Sequence, residues 1–279
     1  MQQGKIYSII SGVYHVKVED KILKVHGSGK LRFLNLTPLV GDYVSIQNDQ
    51  ISDIFERKNS FIRPKVANVD QVIVVMSLKE PEFQPFLMDK YLSIIEYKNI
   101  KPVIFLTKSD LCDDFYWYDQ YKKIGYEVYL IDNKNQNYLE HLKHIFKDKT
   151  NVFLGQSGVG KTTTINYLSN NSYQTQAISK ALNRGKHTTR VLRIIEFNEG
   201  ELIDTPGFSS LNLDLSALEL AQSYDIFKKY YPLCKYRSCF HISELTKDCA
   251  VKLALEKGEI PNWRYTNYLK LNSETTKRF

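Results

Sequence analysis

The chain has 279 residues, 43% of them hydrophobic, which is enough for two or three domains with real cores. Its formal charge of +7 suits a polyanionic partner such as RNA, and equally suits a merely basic soluble protein. No run of 18 apolar residues occurs, which excludes a membrane-spanning helix, and the first ten residues lack a basic-then-apolar signal pattern, so the chain reads as cytoplasmic; four cysteines, three of them between positions 234 and 249, do not make a disulfide framework.

Residues 1–65 alternate at period two between polar turns, without a helical pattern. Val13 to Val18 and Ile22 to Val25 read as a hairpin, and further short strands are expected at 31–34, 43–46 and 50–55. About five short strands predict a small closed barrel of OB type. Such barrels bind oligonucleotides by stacking and basic side chains, making Lys21, Lys24, Lys30 and Arg32 candidate RNA contacts; a solvated strand face is the alternative for each.

From Val66 strands alternate with helices, the mark of a parallel sheet. Gln71 to Met76 is an unbroken apolar run, as a strand buried on both faces requires. A helix over 85–98 follows, and then a strand, Val103-Ile104-Phe105-Leu106, that ends in Thr107-Lys108-Ser109-Asp110. The Asp110 carboxylate can accept hydrogen bonds from guanine N1–H and the exocyclic N2 amine. Adenine presents an acceptor at N1 and has no N2 amine. At roughly 1.5–3 kcal/mol per charge-assisted bond, that difference discriminates by about 10²-fold. Lys108 lies along the base in this reading, and Thr107 anchors the turn.

Next, a short strand at 151–154 leads into Gly155-Gln156-Ser157-Gly158-Val159-Gly160-Lys161-Thr162, followed by a helix beginning at Thr163. This is G-x-x-x-x-G-K-[ST], a loop whose backbone N–H groups cradle nucleotide phosphates. Lys161 reaches the β- and γ-phosphates, Thr162 offers its hydroxyl to Mg²⁺, and Thr163 adds to the phosphate cradle at the helix N-terminus. Downstream, the polar stretch Asn183 to Arg190 precedes a strand at 191–197 and a second at 201–203, which ends in Asp204-Thr205-Pro206-Gly207. In this D-x-x-G element Asp204 holds Mg²⁺, directly or through water, and the Gly207 N–H senses the γ-phosphate. Thr188 and Thr189 both qualify as the threonine that closes over Mg²⁺, and spacing does not choose between them. The guanine-reading motif comes first, about 45 residues before the phosphate loop, whereas ordinary GTPases place it after D-x-x-G. A circular permutation produces that order without moving any part in space.

The last segment opens with a helix over 216–224, with Ser216 and Glu219 set for a capping box. Cys234, Cys239, His241 and Cys249 then form C-x₄-C-x-H-x₇-C, a closed set for a structural Zn²⁺. A helix over 248–257 stops at Gly258, and a basic, aromatic tail from Trp263 to Lys270 either contacts RNA or packs on the zinc module.

Taken together, these residues resemble the RsgA family of circularly permuted GTPases. The matching residues are Arg63-Pro64 with Ala67-Asn68-Val69-Asp70-Gln71, the loop Gly155 to Thr162, Gly185-Lys186-His187-Thr188-Thr189, Asp204-Thr205-Pro206-Gly207-Phe208, Cys249-Ala250-Val251-Lys252, and Arg264-Tyr265 with Tyr268. The resemblance implies an OB-type RNA-binding barrel (1–65), a permuted α/β P-loop GTPase domain (66–213) and a mostly helical zinc module (214–279). It implies binding of the immature small ribosomal subunit and its rRNA by a monomer, subunit-stimulated hydrolysis of GTP to GDP, and departure. Phe208 stands where many GTPases carry a water-orienting Gln, so unaided hydrolysis is expected to be slow. His187 matches the family's proposed catalytic histidine; contact with RNA or phosphate is its other role. Thr107 departs from the usual Asn, which predicts weaker base or loop anchoring. The base-supporting loop falls near Ile131-Asp132-Asn133 and matches the family poorly. Two other readings remain: a non-catalytic, nucleotide-gated RNA-binding factor, and a P-loop ATPase or small-molecule kinase.

Overall fold

The computed structural model describes residues 2–62, 64–134, 136–169, 192–204 and 213–276. Strands β1 (Gln2–Ile10), β2 (Val13–Val18), β3 (Lys21–Gly27), β4 (Tyr43–Gln47) and β5 (Gln50–Ile54) pair in the order β1-β2-β3-β5-β4, and β4 returns to β1 to close a barrel. The alternation does what it predicts: Ile6, Val16, Val25, Val44, Ile46 and Ile51 point inward and fill the interior. One expectation fails. The strand expected at 31–34 lies instead in and just beyond a short helix, α1 (Gly29–Phe33), in which Leu31 is buried while Arg32 and Phe33 stay exposed. Over four residues, a period of two and a single helical turn place too few apolar side chains to be told apart.

The central sheet holds β8 (Gln71–Ser77), β9 (Lys101–Thr107), β10 (Glu127–Ile131), β11 (Thr150–Leu154), β12 (Arg193–Phe197) and β13 (Gly200–Asp204), in the order β10-β9-β8-β11-β13-β12; β6 (Ser60–Phe61) and β7 (Val66–Ala67) make a separate small ladder. Every pair from β10 through β13 is parallel, and only β12 runs antiparallel to its neighbour. The carboxyl ends of five strands therefore open on one edge, where ligands bind in open α/β sheets. The barrel continues this sheet, since β1 pairs antiparallel with β12 at Ser8 and Arg193. Lys5 cements the junction, with Nζ 2.5 Å from Glu201 Oε2 and 2.7 Å from Thr150 Oγ1.

Helix α2 (Pro85–Tyr97) packs on β8 and β9, α3 (Tyr116–Lys123) on β10, and α4 (Lys161–Ser169) follows the phosphate loop. The C-terminal segment contains α5 (Ala217–Ala221), α6 (Asp225–Lys228), α7 (Ala250–Glu256) and α8 (Asn262–Thr276). The capping box forms as expected: the Ser216 amide donates to Glu219 Oε2 at 2.8 Å and the Glu219 amide to Ser216 Oγ at 3.3 Å. The helix expected over 216–224 is shorter, Ala217–Ala221, with a separate helical turn beyond it at Asp225–Lys228, and the helix expected from 248 starts at Ala250, because Cys249 is extended at its N-cap. One apolar cluster runs from Val74 and Ile104 in the sheet through Leu220 and Phe227 to Tyr268 and Leu271, so the C-terminal segment shares its core with the sheet. Among the described residues no helix is long and apolar enough to cross a membrane.

A buried ionic cluster fixes α8 to α2. Arg264 Nη1 lies 2.7 Å from Asp89 Oδ1 and Nη2 lies 3.5 Å from Glu96 Oε2, and all three side chains are fully buried. Asn267 donates to Asp89 at 2.8 Å, the Asp225 amide to Glu96 at 2.8 Å, and the guanidinium lies over the Tyr126 and Tyr224 rings. The tail's Arg264, Tyr265 and Tyr268 are therefore packing residues; of the two readings of that tail, packing holds for these three. Burial pushes the Glu96 carboxyl up to about 7 against the opposing pull of Arg264. A carboxyl raised from 4.5 to about 7 binds more protons folded than unfolded within that interval. Its contribution to stability is therefore present at low pH and lost as pH rises through about 7. Glu96→Gln is expected to flatten the fall in stability across that interval, read by denaturant titration at several pH values with Zn²⁺ held saturating.

Candidate nucleotide and metal sites

Three strand ends build a cavity of about 520 Å³: the turn after β9 supplies Lys108 and Asp110, the turn after β10 supplies Asn133 and Lys134, and the loop after β11 supplies Gln156 to Gly158 and Gly160 to Thr163. The structure thus brings the predicted base-reading and phosphate-binding residues into one cavity from positions about 45 apart in sequence. Asp204 ends β13, the parallel neighbour of β11, and is nearly buried. Burial raises its carboxyl, with Arg193 Nε at 3.6 Å opposing the shift.

The phosphate loop is shaped by close approach. A Cβ on Gly155 would lie 2.1 Å from the Val75 carbonyl oxygen, and no rotamer relieves a backbone clash. Gly160, at φ +90°, packs against Asn133 and Thr107. Val159 is buried and anchors the loop, so within the predicted run it is a packing residue that presents its backbone. Lys161 Nζ donates to the carbonyls of Gly155 and, at 2.7 Å, Gln156, and burial lowers its ammonium to about 8. An anionic phosphate beside it would reverse that shift.

The base-reading turn is braced onto this loop. Thr107 is fully buried and its hydroxyl donates to the Val159 carbonyl at 2.5 Å, so the residue in place of Asn still ties the turn to the phosphate loop. Lys108 adopts a left-handed conformation at φ 57° that starts the single turn carrying Asp110. Sequence reasoning placed the base-supporting loop near Ile131-Asp132-Asn133 without assigning a residue in it, and it missed Lys134. The Asn133 amide oxygen accepts from Thr164 Oγ1 at 3.2 Å, bridging to α4, and Lys134 Nζ lies 2.6 Å from Asp110 Oδ2. That hydrogen bond holds the Asp110 carboxyl below the usual carboxylate range. Their position after a sheet strand was the available signal; their residue types gave none.

His187, Thr188, Thr189, Gly207 and Phe208 lie outside the described residues, as does Arg63.

The second cluster is compact, with Cys239, His241 and Cys249 buried and Cys234 half-buried. The ligand atoms of Cys234, Cys239, His241 and Cys249 all lie within 4.8 Å of one another, with His241 Nδ1 at 3.4 Å from Cys249 Sγ and 3.7 Å from Cys234 Sγ. Bond lengths of about 2.3 Å to sulfur and 2.0 Å to nitrogen give tetrahedral edges of roughly that size. Burial pushes the Cys239 and Cys249 thiols up and the His241 imidazole down to about 4, so a soft cation is what would stabilise thiolates here. The donor set fits zinc. The hydroxyls of Tyr265 and Tyr268 donate to the His241 and Phe240 carbonyls, fixing the cluster to α8.

Comparison with known proteins identifies the family. The family model described as RsgA GTPase matches residues 54–214, and that of the RsgA N-terminal domain matches residues 3–53. The small ribosomal subunit biogenesis GTPase RsgA of Mycoplasmopsis agalactiae is 50% identical over 275 residues, 98% of each chain. Its counterpart in Bacillus subtilis is 40% identical, over 100% of this chain and 99% of the relative. Among solved structures, the circularly permuted GTPase YloQ superposes with TM-score 0.80 at 36% identity, covering 100% of this chain and 96% of that one. YjeQ from Thermotoga maritima gives 0.81 at 30% identity, covering 99% and 98%.

Proposed function

The chain belongs to the RsgA family of GTPases, and from that membership we propose that it acts in late maturation of the small ribosomal subunit: it binds the subunit and its rRNA, hydrolyses GTP to GDP and phosphate there, and then dissociates. The observation that carries this reading is the single cavity in which Asp110 and the phosphate loop meet, sized and charged for a guanine nucleotide. Asp110 selects the base, Lys108 flanks it and Thr107 holds the turn. The loop amides, Lys161 and Thr163 orient the phosphates, and the Gly207 N–H senses the terminal one. Bound Mg²⁺, held by the hydroxyl of Thr162, by Asp204 and by Thr188 or Thr189, would neutralise charge on the β- and γ-phosphates. His187 orients or deprotonates the attacking water, a task that the apolar ring of Phe208 cannot perform. Zn²⁺ on Cys234, Cys239, His241 and Cys249 has a structural role, because the four ligands leave no open position.

Three working parts follow: a barrel (1–65) that contacts RNA, a GTPase domain (66–213), and a zinc module (214–279) set on the same core. The protein works as a cytoplasmic monomer.

The test is GTP turnover by the purified protein, alone and with isolated small ribosomal subunits, with ATP as control. Slow intrinsic turnover and strong, GTP-specific stimulation are expected. His187→Ala should remove the stimulated increment while leaving GDP affinity intact. Stimulated turnover that survives this substitution would remove His187 from its role, and tight GTP binding with no stimulation in the wild type would favour a nucleotide-gated binding factor. Removal of Zn²⁺ by a strong chelator should unfold the C-terminal module with loss of helical circular dichroism, recoverable on adding Zn²⁺ back.

A further inference from the structure

The barrel carries a cavity of its own, about 410 Å³, at the pole where β2, the end of β3 and α1 meet. That volume falls within the roughly 300–1,000 Å³ of small-ligand sites. Its wall includes Tyr14, His26, Ser28, Arg32, Asn35 and Leu36, and contains no carboxylate. Three other barrel cations are paired: Lys17 with Glu196, Lys30 with Asp53 and Lys5 with Glu201. Among the described residues, no side-chain hydrogen bond or ion pair engages Tyr14, His26, Arg32 or Asn35. The Ser28 hydroxyl is buried with no partner, a state that folded proteins rarely leave uncompensated. Phe33, next in sequence to the wall residue Arg32, is 86% exposed and Leu36 in the wall is 47% exposed, although Leu31 and Pro38, each two residues away, are buried. Unpartnered donors, one guanidinium without an ion pair and the Tyr14 ring converge on a single concave site.

We propose that this cavity binds one unpaired nucleotide of single-stranded RNA. The base stacks on Tyr14 with the Ser28 hydroxyl and Asn35 amide meeting its polar edge, and the adjoining phosphate pairs with Arg32. A base in a duplex keeps its faces stacked and cannot enter a pocket of this shape, whereas an unpaired base can. Stacking is sequence-tolerant because every base has a π-face, and the guanidinium offers a planar fork to phosphate oxygens. The proposal rests on the reading that the chain works on ribosomal RNA, and it locates a contact that the reading leaves open.

The experiment uses the full chain loaded with Zn²⁺ and GDP, a fluorescent ten-nucleotide single-stranded RNA, the same sequence as a duplex, and nucleoside monophosphates as competitors. Tyr14→Ala is expected to weaken the single strand about ten-fold, and Tyr14→Phe, which keeps the ring, to restore it. Arg32→Ala should weaken binding and reduce the slope of log affinity against log salt by about one. Unchanged melting and GDP affinity in these variants show that the fold is intact. Arg32 is exposed, so its removal tests the site even if Tyr14→Ala proves unstable. Wild-type affinity in both Arg32→Ala and Tyr14→Phe/Arg32→Ala, equal affinity for duplex, or full displacement by monophosphates at low concentration would each overturn the proposal. Failure here with subunit-stimulated GTP turnover intact leaves the functional reading standing; absence of that stimulation in the wild type removes the reading itself.

Discussion

Asp110→Asn is expected to lower GTP affinity by about 10²-fold and to raise the affinity for xanthosine triphosphate. The carboxylate accepts from two guanine N–H donors, each bond contributing roughly 1.5–3 kcal/mol. An amide keeps one acceptor and turns a donor toward the guanine N2 amine, where two donors face each other. Xanthine carries a carbonyl at that position and receives the new N–H. Lys134 shares the site, 2.6 Å from Asp110 Oδ2, so the substitution also releases an ammonium beside the base. Lys134→Met separates the two effects, because it removes the cation and leaves the acceptors. The measurement is displacement of a fluorescent GDP by GTP and by xanthosine triphosphate. Unchanged GTP affinity in Asp110→Asn would remove the assignment of the base site.

Arg264→Ala should destabilise the protein by about 3–5 kcal/mol, the range for breaking a buried ion pair from one side. Asp89 and Glu96 would both remain buried, with their carboxyls raised further by loss of the guanidinium that opposes the effect of burial. The expected signature in a denaturant titration is a lower midpoint, and a stability that falls more steeply as pH rises. Restoring neutrality in the triple variant Asp89→Asn, Glu96→Gln, Arg264→Met should recover much of the loss, since an apolar or neutral replacement avoids the uncompensated charge. A loss below about 0.5 kcal/mol in Arg264→Ala would show that α8 is held by apolar packing alone.

Motifs whose chemistry depends on local spacing were legible from sequence. The phosphate loop needs its glycines within eight consecutive residues; the four candidate metal ligands fall within 16 residues, and the alternation of β1 to β5 repeats every second residue. Each is dictated by backbone geometry over a few residues, so composition and order suffice. The permuted order of motifs was equally visible, because it is a statement about sequence alone. Helix α1 was not legible, since four residues carry too little periodicity to separate a turn of helix from a strand. The tertiary structure decided what spacing could not: that Asn133 and Lys134 complete the base side of the cavity, that Thr107 reaches the Val159 carbonyl 52 residues away, and that Arg264 is buried 175 residues from the Asp89 that neutralises it. An Arg in a basic, aromatic tail carries the same local signal whether it meets RNA or a buried carboxylate. Only the path of the chain, which brings α8 back against α2, chooses between them.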